Sequence, residues 1–401
     1  MKNKKITVVG LGYVGLPTAL SYCKKGFEVN GFDIDKKLIL NLNKGITKID
    51  EKNVKILLKK YIKKKFFPKS CLEPSDIFII TVPSNRIGTR QNLKPLLSTI
   101  NLIAKILKKN NLIIIETTCE VGTTQKIKKI INKKRPDLFH NKKENYYLSY
   151  SPERVFPGNS LFEIENNAKI IGGINHSSNH YSKKIISSIN NNLNLTSDRV
   201  AETVKLVENS YRNIQLGFVN ELSIFSEKNN LDVNEIIKLS NMHPRINLLK
   251  PGIGVGGHCI PIDPYFLINR KQNDFKSINT SIKSNSFKTL WVSKKILKIV
   301  KEKKLNKILI LGLSYKENIG DLRESPAIRI LKIISKANKN LKLFIYDPYV
   351  KKSDIKFEKY KNIIAIKKSS LINYKKITTF KLVNHKIFEK NKNLNKSLIK
   401  F

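Results

Sequence analysis

A thiol at position 259 sits inside the glycine-rich run PGIGVGGHCIPIDP (251 to 264), directly after His258 and four residues before Asp263. Glycines let the backbone approach a reactant closely, and neighbouring polar groups can hold a thiolate. Cys259 therefore has the setting of a nucleophile that attacks a carbonyl. At the other end of the chain, GLGYVG places Gly10, Gly12 and Gly15 at the GxGxxG spacing. There the first glycine makes a tight turn, the second admits a pyrophosphate and the third lets helix and strand pack. Asp33 follows 18 residues past Gly15. A carboxylate at that point pairs with ribose hydroxyls and repels a 2′-phosphate, so NAD is favoured over NADP. Lys205 and Asn209 lie four residues apart in a helical stretch and share a face. Spacing alone fits a solvated face as well as it fits a pair acting on one substrate atom.

The elements that must position these residues alternate between strand and helix. KKITVVG, a helical stretch at 14 to 25, FEVNGFD, a helical stretch at 36 to 44, DIFIITVP (76 to 83) and NLIIIETT (111 to 118) read as βαβ units of a parallel sheet. GLGYVG falls between the first strand and the first helix, where free helix N-terminal amides can meet phosphates. Residues 196 to 241 are helical without strand signals. A second alternation runs through NKILILGLSY (306 to 315), a helix near 325 to 337 and LKLFIYDP (341 to 348). The expected fold is α/β, two doubly wound Rossmann-like sheets joined by a helical central domain, with divisions at 1–195, 196–298 and 299–401. No repeat of 20 to 50 residues is seen, and the Lys/Asn-rich stretches at 55 to 70, 268 to 288 and 385 to 400 read as solvated loops or helix faces.

Net charge is +45, from 76 Lys+Arg against 31 Asp+Glu. Ten of the 76 are arginines and 66 are lysines, scattered through almost every segment. A nucleic-acid surface clusters its charge and leans on arginine forks, so no nucleic-acid partner is expected. The four cysteines form no CxxC or Cys/His pattern, which argues against a metal site and for a reducing, cytoplasmic setting. Cys23, Cys71 and Cys119 read as ordinary small apolar residues. MKNKK followed by an apolar run could pass for a signal peptide, but the glycine spacing gives that run another purpose. No stretch reaches the roughly 18 apolar residues of a membrane span.

Beyond these residues, the chain resembles the UDP-glucose/GDP-mannose dehydrogenase family from Lys4 to about residue 388. The resemblance is carried by GLGYVGLPTA, ETTCEVGTT (116 to 124), SPERVFPG (151 to 158), KLVENSYRN (205 to 213), FVNELS (218 to 223), HPRIN (243 to 247), PGIGVGGHCIPIDP and GLSYKENIGDLRESPA (312 to 327). It implies oxidation of a UDP-sugar C6 alcohol to a carboxylate by two hydride transfers to NAD, without release of the aldehyde. It also implies an NAD-binding sheet, a helical dimer-forming centre and a C-terminal UDP-binding sheet, in a homodimer or dimer of dimers. On this resemblance Cys259 forms a thiohemiacetal and then a thioester. Lys205 and Asn209 stabilise the C6 oxygen, Glu153 positions water, and Asp263 and Thr118 join that water network. Tyr13, Val14, Thr81, Lys316 and Arg323 join the glycines and Asp33 at the cofactor, while Arg154, Arg245, Lys250, Gly256, Gly257 and Lys316 face the nucleotide sugar. SPERVFPG, HPRIN and VGGHCIPIDP look like the branch that takes N-acetylhexosamines. UDP-N-acetylmannosamine is then the expected substrate, UDP-N-acetylglucosamine the next and UDP-glucose a poor one, in the service of a cell-surface polysaccharide.

The chain departs from the family's pattern at Ser84 and Asn85, where Thr-Pro is usual, at Glu120 and Ile253, which replace prolines, and at Gly320, which replaces an aspartate. Lost prolines loosen loops by about 0.4 to 1 kcal/mol each and remove no reacting group. The tail to Phe401 is lysine- and asparagine-rich where the family carries a further strand. A nucleotide-binding relic with little turnover is the alternative these departures support.

Overall fold

A computed structural model of the chain describes residues 3–88, 90–141, 143–155, 158–268, 275–355, 357, 359–367, 377–389 and 398–400. They fall into two units, Met1–Glu208 with Tyr265–Leu267 and Asn209–Pro264 with Ile268–Phe401.

The strands of the first unit are β1 (Ile6–Val9), β2 (Val29–Phe32), β3 (Phe66–Lys69), β4 (Ile77–Ile80), a hairpin of β5 (Asn85–Ile87) and β6 (Arg90–Asn92), β7 (Leu112–Ile115), a second hairpin of β8 (Phe139–His140) and β9 (Lys143–Glu144), β10 (Tyr147–Tyr150), β11 (Lys169–Gly173) and β12 (Leu193–Ser197). Eight of them pair in the order β12-β11-β10-β7-β4-β1-β2-β3. Every neighbour is parallel except β10 and β11. The central runs ITVV, IFII and LIII are buried end to end, as parallel strands covered on both faces must be. Side chains alternate across the sheet with period two. Ile77, Ile79, Leu112 and Ile114 join one cluster with Leu16 and Leu20 of α1 (Gly15–Lys24). Phe78, Ile80, Ile113 and Ile115 join another with Ile100 and Ile103 of α4 (Lys94–Ile106) and Ile127 of α5 (Thr123–Lys134). Between them come α2 (Lys36–Asn43) and α3 (Lys52–Tyr61), and later α6 (Ser160–Asn166) and α7 (His176–Ile186). Glu51 reaches more than a hundred residues along the chain to accept from the Ser160 N–H, at 2.9 Å, and the Ser160 hydroxyl, at 2.7 Å, at the start of α6. That contact ties down the far end of the SPERVFPG segment.

The second unit is built on long helices and a second sheet. α8 (Asp198–Lys228) begins in the first unit and is followed by α9 (Val233–Ser240), α10 (Pro264–Leu267), of which Tyr265–Leu267 belong to the first unit, α11 (Lys276–Glu302), α12 (Pro326–Ala337) and α13 (Lys386–Glu389). β13 (Lys307–Leu311), β14 (Lys342–Tyr346), β15 (Ile363–Ala365), β16 (Thr379–Lys381) and β17 (Leu398–Lys400) pair in the order β15-β14-β13-β16-β17, all parallel. Ile308 and Ile310 face Val292, Ile296 and Ile330, and Leu309 and Leu311 face Tyr346 and Phe388. No described helix is long and apolar enough to cross a membrane.

Three lysine-rich stretches differ from the sequence reading. Phe66, inside 55 to 70, is fully buried in strand β3, because its apolar pair FF outweighs the flanking lysines. Within 268 to 288, residues 276 to 288 are helical, with a solvated face that includes Lys276, Thr280 and Lys283 and a second face that buries Ser281, Ser284, Asn285 and Lys288. Leu398–Lys400, expected in a solvated tail, forms edge strand β17 against β16. Residues 269–274 and 390–397 of these regions lie outside the described residues.

Candidate active site

In the first unit the strand order reverses between β1 and β4, the place where doubly wound sheets take ligands at the carboxyl ends of their strands. Gly10 leaves β1 at φ +91°, where an L side chain is strained. A Cβ on Gly15 would stand 1.8 Å from the Gly10 carbonyl oxygen, whereas one on Gly12 would meet nothing within 4 Å. The middle glycine thus faces open space, and α1 begins at Gly15 with no side-chain cap, which leaves its N-terminus to an anion. The half-buried Asp33 accepts from Leu11 N–H at 2.8 Å and from Asp35 N–H at 2.9 Å. Its carboxylate is aimed over the turn. The residues fit a dinucleotide, with Tyr13 exposed beside Gly12. Thr81 acts one layer behind. Its hydroxyl donates to Val9 and Gly10 carbonyls at 3.0 and 2.7 Å, so it shapes the glycine turn. Val14 is the residue before α1.

Along the same sheet edge the first unit collects three buried charges. Glu153 is 9 % exposed and accepts from Arg154 N–H at 2.8 Å and from the Lys169 ammonium. Lys169 also lies 3.7 Å from Glu116. Burial pushes Glu116 up to about 7, with Lys169 opposing and Glu153 adding to the rise. Glu153 is therefore no exposed surface acid. Lys205 donates its ammonium to the Glu153 carbonyl at 3.0 Å, and Arg154 pairs with Glu208 at 2.6 Å. Thr118 is half-buried, and its carbonyl accepts from Gln91 at 2.7 Å. Gln91 also donates to Ser84 at 2.6 Å and accepts from Glu120 N–H at 2.9 Å. Two of the departures from the family's loops are thus joined through one side chain, which supplies order that the missing prolines do not.

In the second unit, one face of α8 holds the cysteine loop. Asn209 donates to Asp263 at 2.6 Å, Asn213 donates to the Ile260 carbonyl at 3.1 Å, and Asn220 accepts from Gly252 N–H at 2.9 Å. Their spacing of four and seven residues keeps all three on one side of the helix. Asp263 is 3 % exposed and sits before α10 without capping it; its carboxylate belongs to Asn209. Cys259, half-buried, accepts at its carbonyl from Ile262 and Asp263 N–H groups at 2.9 and 2.8 Å. Gly256 and Gly257 let this loop lie against Tyr315, where added Cβ atoms would come within 2.7 and 2.9 Å of that side chain. Their part here is close packing. Gly257 N–H donates to the Arg323 carbonyl at 3.0 Å. Asp321 grips the Arg323 guanidinium, closest at 2.6 Å, and holds it in its charged form. Gly320 has a local reason too, since a Cβ there would lie 2.3 Å from the Tyr349 carbonyl.

Burial and the neighbouring Arg212 guanidinium push Lys316 down, with Glu317 opposing. Two cations held near each other suit an anionic ligand. Arg245 and Lys250 stand exposed in the segment after α9, where Asn241 braces Leu248 from both its amide atoms. No described contact ties either to Cys259. Sequence reasoning missed Glu116, Lys169, Arg212, Asn213 and Asn220. The asparagine spacing on α8 was a usable signal; Lys169 among 66 lysines was not.

The UDP-glucose/GDP-mannose dehydrogenase family matches the chain in three consecutive parts: its NAD binding domain at residues 4–190, its central domain at 199–286 and its UDP binding domain at 309–394. The chain is 37 % identical over 394 residues to a UDP-N-acetyl-D-mannosamine dehydrogenase of Campylobacter jejuni, covering 96 % of both. It is 39 % identical over 357 residues to one of Methanococcus vannielii, covering 87 % of this chain and 80 % of that one. The solved structure of a UDP-D-ManNAc dehydrogenase from Pyrococcus horikoshii aligns with a TM-score of 0.88 at 30 % identity, over 99 % of this chain and 93 % of that one.

Proposed function

Because the chain belongs to the UDP-glucose/GDP-mannose dehydrogenase family and is an NAD-dependent nucleotide-sugar dehydrogenase, we propose that it oxidises C6 of UDP-N-acetyl-D-mannosamine from alcohol to carboxylate through a thioester on Cys259. The observation that carries this reading is the Asn209–Asp263 bond, which ties a buried acid and an amide donor to the loop that bears the thiol. Names of relatives supply the sugar.

NAD held over the turn of Gly10, Gly12 and Gly15 and by Asp33 would supply the hydride acceptor for each of the two oxidations at C6. The chain's own residues do the remainder. Lys205 and Asn209 stabilise the C6 oxygen as its proton leaves, which suits an ammonium and an amide donor. Cys259 Sγ adds to the aldehyde carbon, and the C6 aldehyde stays covalently held as a thiohemiacetal. Once that carbon is oxidised it is a thioester, and water, activated by Glu153 with Asp263 and Thr118, cleaves the C–S bond and returns the thiol. Alcohol and water together yield carboxylate, two hydrides and three protons, so atoms and charges balance.

The same reading assigns cofactor binding to 1–195, dimer formation to 196–298 and nucleotide binding to 299–401. Tyr211, Phe218 and Phe225 support the dimer: seven residues apart on α8, they are 60, 55 and 57 % exposed, an apolar stripe of the kind a second copy covers. A cytoplasmic enzyme making an acidic amino sugar for a cell-surface polysaccharide is the proposed setting. An acetamido group needs hydrogen-bond partners that a glucose pocket lacks, and leaving them unpaired costs ~1 to 3 kcal/mol. We therefore expect kcat/KM for UDP-N-acetylmannosamine to exceed that for UDP-glucose by roughly tenfold to hundredfold. UDP-N-acetylglucosamine should fall between. A preference for UDP-glucose would overturn the substrate.

A further inference from the structure

The first unit buries three charged side chains that come from three different strand ends, and only one of them has a part in the chemistry proposed so far. β11 is the one described strand of the main sheet that opposes its neighbour β10, pairing Tyr150 with Gly172 and Ser149 with Gly173. Continuing that register three residues past β10 sets Glu153 opposite Lys169. The reversal matters because in a parallel strand the first residue lies at the amino edge, far from a ligand, whereas here it lies at the carboxyl edge. Glu116 arrives from the adjacent parallel strand, one residue past β7. The three side chains are 7, 9 and 3 % exposed for Glu116, Glu153 and Lys169. The ammonium touches Glu153 and stands 3.7 Å from Glu116, and Glu116 Oε2 is buried with no hydrogen-bond partner.

We propose that Lys169 and Glu116 are positioning residues that fix the charge and direction of the Glu153 carboxylate for the hydrolytic step. The inference rests on the reading of Glu153 as the group that activates water. Two carboxylates facing one cation in a dry site do not hold two full negative charges cheaply, and the raised proton affinity of Glu116 fits that arrangement. Lys169, held in its charged form by both acids against its burial, belongs to Glu153 by contact. Glu116 then competes for it according to pH. The other groups around the cluster are few. Tyr22 of α1, 1 % exposed, is held neutral by burial and by both acids. Lys205 of α8 binds the Glu153 main chain, and Arg154 turns to Glu208. No other described cation makes an ion pair with Glu153 or Glu116, so removing Lys169 leaves two buried carboxylates without a cation.

The test is a set of full-length variants, Lys169→Met, Lys169→Arg, Glu116→Gln and Glu153→Gln, given UDP-N-acetylmannosamine and NAD in single-turnover experiments from pH 5.5 to 9. Intact mass follows the acyl group on Cys259. Lys169→Met should move the acidic limb of thioester hydrolysis upward by a pH unit or more, lose about tenfold or more of the rate near neutrality, recover at alkaline pH, and accumulate acyl-enzyme. Lys169→Arg should restore most of the wild-type profile. Glu116→Gln, nearly isosteric, should move the limb downward, because the cation no longer has a rival acid. An unchanged limb in Glu116→Gln and in Lys169→Met would overturn the inference. If Lys169→Met fails to fold, Glu116→Gln decides alone, and a wild-type limb in that variant counts against it. Glu153→Gln separates the two layers. Full hydrolysis by that variant refutes the role of Glu153 itself, whereas its loss alongside unchanged limbs in the other variants refutes only the positioning proposal.

Discussion

Each unit of the molecule opens its sheet with the same turn, Gly-Leu-x-Tyr, at Gly10 to Tyr13 and at Gly312 to Tyr315. Both glycines take positive φ, +91° and +84°. Each leans on the strand across the switch point, Gly10 on Thr81 after β4 and Gly312 on Val383 after β16. In each, an aspartate after the next strand accepts from the leucine N–H, Asp33 from Leu11 at 2.8 Å and Asp347 from Leu313 at 2.7 Å. Both aspartates also accept from the N–H two residues on. The two turns part beyond the leucine. The first leads within five residues into α1, keeps Gly12 open and leaves Asp33 half-buried. The second has Ser314 in place of that glycine, its next helix waits until Pro326, and His385 closes over Asp347 at 3.0 Å with both side chains fully buried. His385 Nδ1 accepts from Asn318 N–H at 2.8 Å, so its proton sits on Nε2 and points at Asp347. One device is open to a dinucleotide, and the other is sealed to hold the loop bearing Lys316 and Arg323.

Removing each aspartate breaks the comparison most sharply. Asp347→Ala takes the acceptor from the buried Leu313 and Ser314 N–H groups and the carboxylate from His385 Nε2, at roughly 1 to 3 kcal/mol per buried group. Urea denaturation should show a loss of about 3 kcal/mol or more, against under about 1 kcal/mol for the half-exposed Asp33→Ala. Equal losses would erase the distinction between an open and a sealed turn. The glycines come next. Gly15→Ala forces backbone apart and should cost ~1 to 3 kcal/mol of stability, while Gly12→Ala should fold like wild type and weaken NAD binding in calorimetry. A stable Gly15→Ala with intact NAD affinity would count against the tight turn. Asp33→Ser should narrow the NAD-over-NADP ratio of kcat/KM by roughly tenfold, ~1.4 kcal/mol; an unchanged ratio would move cofactor choice elsewhere. The smallest effect is in pH. Although burial raises Asp347, the His385 and backbone N–H bonds prevail and hold its carboxyl below the usual range. Its contribution is present above the unfolded value of 3.8 and is lost as pH falls through the lower folded one. The stability gap between wild type and Asp347→Asn should therefore shrink on acidification below about pH 4, by no more than ~1.4 kcal/mol per pH unit.

Much of this was legible in the sequence because the signals are local. Glycine spacing, the apolar runs before it and Asp33 lie within one βαβ unit, and the cysteine loop is read from contiguous residues. The second turn was recognised as strand and helix, yet what sets it apart from the first is hidden, since its seal rests on Asp347 and His385, 38 residues apart. Lys169 was invisible for a similar reason: only the antiparallel register of β11 brings it to Glu153. Strands β3 and β17 were lost in lysine-rich sequence, because a pair of adjacent apolar residues, Phe66–Phe67 or Leu398–Ile399, marks each and flanking charge disguises it. Ser84 and Glu120 looked like losses until Gln91 was seen to bind both.

On the proposed reading, a covalent thiol carries a nucleotide sugar through two successive oxidations on this scaffold. Counting NADH formed per UDP-N-acetylmannosamine consumed, with NAD in excess, tests it most directly. The wild-type chain should give two NADH and one uronate per sugar, and Cys259→Ser should give no steady-state uronate while binding NAD with nearly unchanged affinity. One NADH per sugar from the wild type, or a wild-type rate of uronate formation from Cys259→Ser, would contradict it.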